Sequence, residues 1–290
     1  MTAAAGPFKP RGEFIDIGGR KMRIVCEGPL SAHPTVVMEA GAFGLAADFG
    51  AIQQKLAAKG IRSCAYDRAG MGWSDPGPSP RDSTAIAADL EKLLAAKGET
   101  GPFILMGHSM AGLHVRMFTA RNPGKVVGLV LVEAATADKI VSPQQQKFIQ
   151  AFIPLSNAAA VLGSVGVFKP LMSTGDKIGL PPGPAAEKRR AFASGRHNRT
   201  AAEEVRNWPR SAQEAAATPP YDPEIPVAVI LAGNRGETRA SLRAAPAAAA
   251  RHGSIAFVTQ AGHATVMGQT WNGPIIDGVD FVLAHPPSAK

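Results

Sequence analysis

Hydrophobic and polar positions alternate near the start of the chain. In residues 13–17 and 20–27 apolar and polar side chains take turns, and Gly18-Gly19 joins the two runs. This pattern predicts an antiparallel hairpin with one face towards water.

Farther along, the alternation gives way to almost continuous apolar runs, at 35–38, 61–66, 103–106 and 126–132. Between them lie helix-like stretches, at 46–59, 83–97 and 113–121. Strands that are buried on both faces and alternate with helices are typical of parallel sheets. The chain is therefore predicted to be an α/β protein, with a mostly parallel central sheet and helices on both faces.

This rhythm stops at about Asp138 and returns after Tyr221. The segment between them is rich in Ala, Gln, Pro and basic residues, and it contains amphipathic pieces at 144–152 and 185–192. Strand and helix patterns then resume at 227–231, 238–251, 254–259 and 275–284. We expect a core domain made of residues 1–137 and 222–290, with a mainly helical insertion at 138–221.

The composition is that of an ordinary globular protein. Of the 290 residues, 45% are apolar and 19% are charged, and a domain of this size can fold without disulfides or metals. Cys26 and Cys64 each lie in a predicted strand, and neither their number nor their spacing suggests a disulfide or a metal site. We expect two buried thiols in a reducing compartment.

Location and partners follow from similar arguments. Residues 1–10 contain no apolar core of signal-peptide length, and no apolar run reaches the roughly 18 residues that cross a bilayer. The formal charge is +8, but the basic residues are scattered and aromatic residues make up only 6%, which disfavours nucleic-acid binding. The sequence predicts a soluble, cytoplasmic protein that acts on a small molecule, without nucleic-acid or membrane partners. It does not predict an oligomeric state.

The strongest local motif is segment 103–112, in which an apolar strand passes through a tight turn into a helix, with Ser109 at the apex. A hydroxyl is a poor nucleophile unless it is held exposed beside a base, and a strained strand-to-helix turn does this. The small residues Gly107 and Ala111 let the strand and the helix approach closely. The turn also aims the Met110 N–H at the place where negative charge would develop. We predict that Ser109 is a nucleophile rather than a helix N-cap.

A general base is expected after the serine in the chain. His263 directly follows the last predicted strand, where a parallel sheet presents side chains to the crevice at its C-terminal edge. His108 is next to the serine but is expected to point elsewhere. The remaining histidines lie in loops, in a helix, in the insertion or in the tail: His33, His114, His197, His252 and His285. We therefore predict His263 as the base.

Together with His263, three patterns resemble the α/β-hydrolase superfamily over nearly the whole chain, in particular capped bacterial hydrolases with a serine nucleophile. They are Val-Val-Met-Glu-Ala-Gly-Ala at 36–42, where many relatives carry His-Gly, Tyr-Asp-Arg-Ala-Gly-Met-Gly-Trp-Ser-Asp at 66–75, and the turn at Ser109. The resemblance implies the α/β-hydrolase fold, with the insertion acting as a cap. It also implies that the turn after strand 35–38 supplies a second oxyanion donor, which we assign to the Ala42 N–H beside that of Met110.

The segment at 67–75, which follows the apolar run at 61–66, is first explained by structural roles. Gly70 and Gly72 are expected to make a turn, and Asp67 and Arg68 to hydrogen-bond neighbouring loops. Trp73 either lines the pocket or, as is more common for an aromatic residue, packs in the protein.

The acid of the triad is where the sequence departs from the common pattern of the superfamily. In many relatives an Asp stands about two residues beyond a glycine after the strand that follows the cap, but this chain has Gly236 there. Glu237 is one residue late and would serve only with an altered loop. Some α/β-hydrolases draw their acid from the end of the strand after the nucleophile helix, which here is Glu133. We predict Glu133, with Glu237 or Asp138 as alternatives; the acid would orient His263 and stabilise its imidazolium.

These residues predict acyl transfer through Ser109, without a metal or a cofactor. By the resemblance, the serine disfavours haloalkane dehalogenase and epoxide hydrolase chemistry, because those relatives use an aspartate at this position. We favour a carboxylic ester or a lactone as substrate, since nothing suggests recognition of a peptide terminus. The alternatives are amide or C–C bond hydrolysis, or a non-catalytic ligand-binding protein of the same fold. Apolar residues of the insertion form either the acyl pocket or the insertion's own core: Phe148, Phe152, Leu155, Val161, Phe168 and Met172.

Overall fold

A computed structural model describes residues 8–136, 143–164, 177–234 and 237–288 of the chain. Its centre is an eight-stranded sheet with the strand order β1-β2-β4-β3-β5-β6-β7-β8. The strands are β1 (Glu13–Asp16), β2 (Lys21–Glu27), β3 (Thr35–Glu39), β4 (Ser63–Tyr66), β5 (Phe103–His108), β6 (Val126–Val132), β7 (Val227–Ala232) and β8 (Gly253–Val258). Strand β2 pairs antiparallel with β1 and β4, and the other neighbours are parallel. The predicted hairpin and mostly parallel sheet are confirmed.

Helices connect the strands and cover both faces of the sheet. They are α1 (Gly50–Ala58), α2 (Ser83–Lys97), α3 (Ala111–Arg121), α4 (Pro143–Ser164), α5 (Pro182–Phe192), α6 (Gly195–Arg206), α7 (Trp208–Ala216), α8 (Glu237–Ala249) and α9 (Gly273–Ala284). Asp82 begins α2 by accepting a hydrogen bond from the Ala85 N–H at 2.9 Å, and Gly98 ends it in the left-handed conformation. Within the described residues, no helix combines the length and the apolar character that a membrane crossing requires.

The apolar runs are continuous because the central strands are buried on both faces. In β3, Val36 and Met38 belong to one hydrophobic cluster, whereas Val37 between them belongs to the cluster on the opposite face. In β5, Met106 and Leu105 divide in the same way. Successive side chains of a strand point to opposite faces, so a strand covered by helices on both sides needs apolar residues at every position.

The two cysteines form a disulfide, so the prediction of two free thiols is wrong. Cys26 in β2 lies directly opposite Cys64 in β4, and their Cα atoms are 4.1 Å apart. Neighbouring positions on adjacent antiparallel strands bring two sulfurs within bonding distance, but 38 residues of sequence separate them. The spacing of the two cysteines in the sequence therefore could not predict the disulfide. The prediction of a cytoplasmic location loses this support, because disulfides persist in oxidising compartments.

Buried charges attach the inserted helices to the sheet. Glu187 of α5 pairs with Arg23 of β2, where the Arg23 Nη2 lies 2.5 Å from the Glu187 Oε2. The Glu204 carboxylate of α6 lies 2.7 Å from the Arg68 Nη2, in the loop after β4. Each pair is nearly inaccessible to water, and losing one partner of such a pair leaves an uncompensated buried charge. Helices α5 and α6 are thus anchored to the sheet. The division of the chain at 138 and 221 stays a prediction.

Candidate active site

The turn at Ser109 joins the end of β5 to the start of α3. Ser109 has a φ of 58°, a left-handed conformation that few non-glycine residues adopt and that is concentrated at functional sites. The Ala135 N–H donates to the Ser109 carbonyl at 2.8 Å, and the Ser109 N–H donates to the Val132 carbonyl at 3.1 Å. The end of the neighbouring strand β6 therefore holds the strained residue in place.

The positions around Ser109 carry small residues for different steric reasons. A Cβ atom at Gly107 would lie 2.8 Å from a methyl group of Val115, so the strand and helix do pack too closely for a side chain. At Gly112 a Cβ would lie 2.1 Å from the Ala135 carbonyl oxygen. Ala111 is fully buried between them. The methyl group of Ala111 is accommodated, and the glycine that the close approach requires lies one residue later.

Ser109, His263 and Glu133 form one chain of hydrogen-bonding groups. The Ser109 Oγ lies 2.9 Å from the His263 Nε2, and the His263 Nδ1 lies 3.0 Å from the Glu133 Oε2. These three residues come from the ends of three segments of the core: the turn after β5, the loop after β8 and the residue after β6. The side chain of His263 is 43% exposed, whereas that of Glu133 is inaccessible. The arrangement has the connectivity of a nucleophile, a base and an orienting acid.

The Glu133 carboxylate has further partners that fix its position. Its Oε1 accepts a hydrogen bond from the Ala232 N–H at 2.8 Å, and its Oε2 accepts one from the Arg243 Nη1 at 2.6 Å. The same Arg243 nitrogen donates to the Glu133 carbonyl at 3.1 Å. Of the alternative acids, Asp138 and the side chain of Glu237 lie outside the described residues. Among the residues described, Glu133 is the carboxylate that contacts His263.

Backbone strain is concentrated here. In the described part of the chain, the non-glycine residues with positive φ are Phe43, Ser109 and Glu133. Ser109 and Glu133 contact His263, and Phe43 follows Ala42 in the turn after β3. Left-handed non-glycine residues cost of order 1–3 kcal/mol each and persist where the surroundings determine them. Their grouping at one end of the sheet is typical of functional sites.

The turn after β3 lies directly against the nucleophile. A Cβ atom at Gly41 would be 2.8 Å from the Ser109 Cβ and 3.1 Å from the His108 carbonyl oxygen. Only glycine permits this approach. Arg68 donates hydrogen bonds to the carbonyls of Ala40 and Gly41, so the prediction that it binds a neighbouring loop is confirmed. Ala42 follows directly, within the same turn.

His108 contacts His263, contrary to the prediction that it points elsewhere. Its Nε2 lies 2.9 Å from the His263 carbonyl oxygen, and the two imidazole rings are 4.8 Å apart. Desolvation by the surrounding protein, together with a smaller effect of the neighbouring His263, lowers the pKa of His108 to about 3. A neutral His108 can donate its Nε2–H to the carbonyl. It therefore ties the His263 loop to the strand that carries the nucleophile.

Apolar side chains of the insertion pack against this site. One cluster contains residues of the serine turn, the turn after β3 and the helices α4 and α7: Met110, Leu113, Ile149 and Trp208, with Ala42, Phe152 and Ile153 packed against them. The ring of Phe152 lies 6.3 Å from that of Trp208 and 6.4 Å from that of Phe43. The insertion thus places an aromatic wall beside both turns.

The other apolar candidates divide into two groups. Leu155 and Val161 of α4 are exposed, and Phe148, Phe168 and Met172 lie outside the residues whose side chains are described. Trp73 packs with Leu45 and Ala191 and lies under the Arg23 guanidinium, 4.8 Å from its Cζ. These contacts agree with the packing interpretation of Trp73.

Sequence reasoning missed three residues of this site. Arg243, His108 and Glu204 each act through a contact between segments that are distant in the chain. For Glu204 the sequence offered one indication, namely a carboxylate on the same face of the α6 helix as its alanines. Arg243 and His108 carried no signal, since an exposed-looking Arg in a helix and a His in a turn are common.

Comparison with known proteins finds a matching family and similar structures. The family described as "alpha/beta hydrolase fold" matches residues 34–163. A structure of Cfl2 from Burkholderia cenocepacia superposes with a TM-score of 0.74 at 20% identity, over 94% of this chain and 100% of that one. This chain has the α/β-hydrolase fold. A thermophilic esterase from Thermogutta terrifontis superposes with a TM-score of 0.66 at 17% identity, over 93% and 98% of the two chains. At such identities the likeness shows the fold alone.

Curated relatives match this chain over shorter stretches. An "AB hydrolase superfamily protein" of Gibberella zeae is 32% identical over 147 residues, which are 49% of this chain and 42% of the relative. The matched part spans 17%, 23% and 43% of three other relatives. Solved structures with this fold include an esterase, an enol-lactonase and epoxide hydrolases. The fold therefore leaves the reaction to be argued from the site.

Proposed function

We propose that this α/β-hydrolase is a serine hydrolase that cleaves a carboxylic ester or a lactone through an acyl-enzyme on Ser109. The observation that carries the proposal is the continuous contact from the Ser109 Oγ to the His263 Nε2 at 2.9 Å, and from the His263 Nδ1 to the Glu133 Oε2 at 3.0 Å. By the resemblance described above, a serine at this position also disfavours the aspartate-dependent opening of epoxides.

The first half of the reaction forms the acyl-enzyme. The Ser109 oxygen attacks the carbonyl carbon while the His263 Nε2 takes the serine proton, and Glu133 stabilises the imidazolium. The N–H groups of Met110 and Ala42 bind the oxyanion of the tetrahedral intermediate. The C–O bond then breaks, and the leaving alcohol takes the proton from His263.

The second half releases the acid. Water attacks the acyl carbon, His263 takes a proton from the water, and the intermediate collapses with return of that proton to the Ser109 oxygen. No metal or organic cofactor takes part in these steps. The insertion acts as a cap whose aromatic wall, which includes Phe152 and Trp208, favours an apolar acyl group or alcohol.

The test is turnover of a short-to-medium series of p-nitrophenyl esters by the wild type and by Ser109→Ala. We expect the variant to lose at least about 10³-fold in kcat, because a triad without its nucleophile retains only binding and oxyanion stabilisation. Fluorophosphonate labelling of the wild type separates a catalyst from a ligand-binding protein, since an inert site labels slowly or not at all.

The chain offers a matched control. The Ser83 Oγ lies 2.9 Å from the His114 Nδ1, the same distance as in the candidate site, but both residues are buried away from it. Ser83→Ala should keep the ester turnover and the fluorophosphonate label, whereas Ser109→Ala should lose both. Equal retention by the two variants would contradict the proposal, and hydrolysis of amides or diketones alone would redirect it to those substrates.

A further inference from the structure

Arg68 is the most densely bonded side chain beside the site, although the proposed acyl transfer does not use it. Its side chain is 2% exposed. The Nε and Nη2 donate to the two carboxylate oxygens of Glu204 at 2.9 and 2.7 Å, and the Nη1 donates to the Glu39 Oε1 at 2.7 Å. The remaining donors bind the carbonyls of Ala40 and Gly41, the latter at 2.9 Å. Every face of the guanidinium fork is occupied.

The bond to the Gly41 carbonyl has a consequence for Ala42. That carbonyl and the Ala42 N–H belong to one planar peptide unit, and the bond is trans, so the C=O and the N–H point in opposite directions. Holding the oxygen towards Arg68 therefore turns the N–H away from Arg68. The same turn lies against Ser109, since a Cβ at Gly41 would be 2.8 Å from the Ser109 Cβ.

We propose that Arg68 is a positioning residue of the oxyanion hole, which it shapes by fixing the Gly41–Ala42 peptide so that the Ala42 N–H faces the nucleophile. The inference rests on the proposed function, in which that N–H binds the oxyanion. The Gly44 N–H also donates to the Gly41 oxygen at 3.0 Å, so both acceptor positions of this carbonyl are used. A charge-assisted bond to the oxygen also polarises the amide and strengthens its N–H as a donor.

Two carboxylates keep the guanidinium charged and oriented. Burial alone would lower the pKa of Arg68, but Glu204 and Glu39 outweigh it and raise that pKa above its ordinary value. Burial raises the pKa of Glu39, although Arg68 and the Tyr66 hydroxyl, which donates to the other Glu39 oxygen, oppose the shift. The positive charge on Arg68 is therefore permanent.

Glu204 connects Arg68, and through it the turn at Gly41 and Ala42, to the insertion. It lies on α6, and its carboxylate takes the side of the guanidinium that the Ala40 and Gly41 carbonyls leave open. A shift of α6 would pull the guanidinium away from the turn, so the seating of the cap and the orientation of the Ala42 N–H are linked through one side chain.

The test compares Arg68→Met with Arg81→Met on a p-nitrophenyl ester and its thiono analogue, in which sulfur replaces the carbonyl oxygen. Arg81 is equally buried and pairs with the Asp89 carboxylate at 2.9 Å, and among the described residues its side chain makes no hydrogen bond to the turn after β3. An oxyanion hole favours oxygen, because a thiolate-like sulfur accepts hydrogen bonds weakly. We expect Arg68→Met to lower kcat for the oxoester by about 10²-fold, as loss of one oxyanion donor does, with KM within about threefold. The ratio of oxoester to thionoester rates should fall by a similar factor.

Arg81→Met should keep the wild-type ratio even where its stability falls, because a merely structural role does not move the preference for oxygen. A wild-type ratio in folded Arg68→Met would overturn the inference. If that variant does not fold, Glu204→Gln decides: a ratio lowered at least about threefold supports the linkage, and an unchanged ratio overturns it. Failure of the proposed function has a different signature, namely wild-type protein without Ser109-dependent ester turnover.

Discussion

Two buried glutamates flank the strand that carries the candidate nucleophile, and they have different surroundings. Glu39 ends β3 and Glu133 follows β6, and these strands lie on either side of β5. Both carboxylates are nearly inaccessible to water. Glu133 contacts His263, whose side chain is 43% exposed, whereas Glu39 contacts Arg68 and Tyr66 in the interior.

The partner decides what each carboxylate does. An imidazole gains and loses a proton near neutral pH, so a carboxylate on its far nitrogen supports proton transfer at the open nitrogen. A guanidinium does not release its proton, so a carboxylate on it fixes a geometry instead. The same residue type at equivalent strand ends thus supports the proposed chemistry on one side of β5 and holds the adjoining turn on the other.

The largest expected difference between the two sides is in turnover. We predict that Glu133→Gln lowers kcat by about 10³–10⁴-fold, because an amide favours the wrong tautomer of His263 and cannot stabilise its imidazolium. Glu39→Gln keeps hydrogen-bonding capacity towards Arg68 and should lower kcat by no more than about 10²-fold. The measurement is steady-state ester hydrolysis by both variants at one pH. A larger loss of kcat in Glu39→Gln than in Glu133→Gln would contradict the assignment of Glu133 as the acid.

Stability should show the opposite order. We expect Glu39→Gln to lower the free energy of unfolding by about 3 kcal/mol, because it leaves the buried Arg68 with one carboxylate fewer. Asp280→Asn, which removes the surface partner of Lys59, serves as the control and should change stability by less than about 1 kcal/mol. Urea unfolding followed by circular dichroism measures both. Equal values for the two variants would mean that the buried cluster does not depend on the Glu39 charge.

Acid should destabilise the protein partly through His197, which is buried on α6. Burial, together with smaller effects of Lys188 and Arg68, lowers the pKa of His197 to about 3. Below its unfolded value of 6.5, the unfolded chain binds a proton that the folded chain does not, so stability falls as pH falls through 6.5 and levels off below the folded value. By pH 5 this amounts to about 2 kcal/mol.

The check is the free energy of unfolding at pH 7.5 and pH 5.0 for the wild type and His197→Gln. The variant can still accept the hydrogen bond that the Gly72 N–H gives to the His197 Nδ1 at 3.0 Å, and it should lose less stability between the two pH values. An identical loss in both proteins would show that His197 titrates normally when folded.

The smallest effect concerns Arg243. We predict that Arg243→Met lowers kcat by less than about tenfold, because the Ala232 N–H still holds the Glu133 carboxylate. Arg251→Met removes a surface pair with Glu224 and should leave kcat unchanged. A loss for Arg243→Met as large as that for Glu133→Gln would make Arg243 part of the machinery rather than a support.

The elements of the core could be predicted because their pattern is local. Helix α2 begins and ends where the sequence indicated, and the apolar runs became strands of the expected sheet. Ser109 and His263 could be singled out since each follows a strand with an apolar sequence, and strands of a parallel sheet end at one edge. Glu133 also directly follows a strand, and its contact with His263 agrees with the prediction made from that position.

The rest depended on contacts that no local pattern encodes. The Cys26–Cys64 bond needs the pairing of β2 with β4, two strands that are not consecutive in the chain. The ion pair of Arg68 with Glu204 joins residues 136 positions apart. The direction of His108 depends on how the loop after β8 crosses the end of β5, which a motif around the serine does not determine.

The most direct test of the account is the mass of the protein during turnover. We would mix the wild type with an excess of a p-nitrophenyl ester, quench in acid within milliseconds to seconds, and map any adduct by peptide mass spectrometry. We expect one acyl group, on the peptide that contains Ser109, and none in Ser109→Ala. Turnover that persists while Ser109 stays unmodified, or an adduct on another residue, would contradict it.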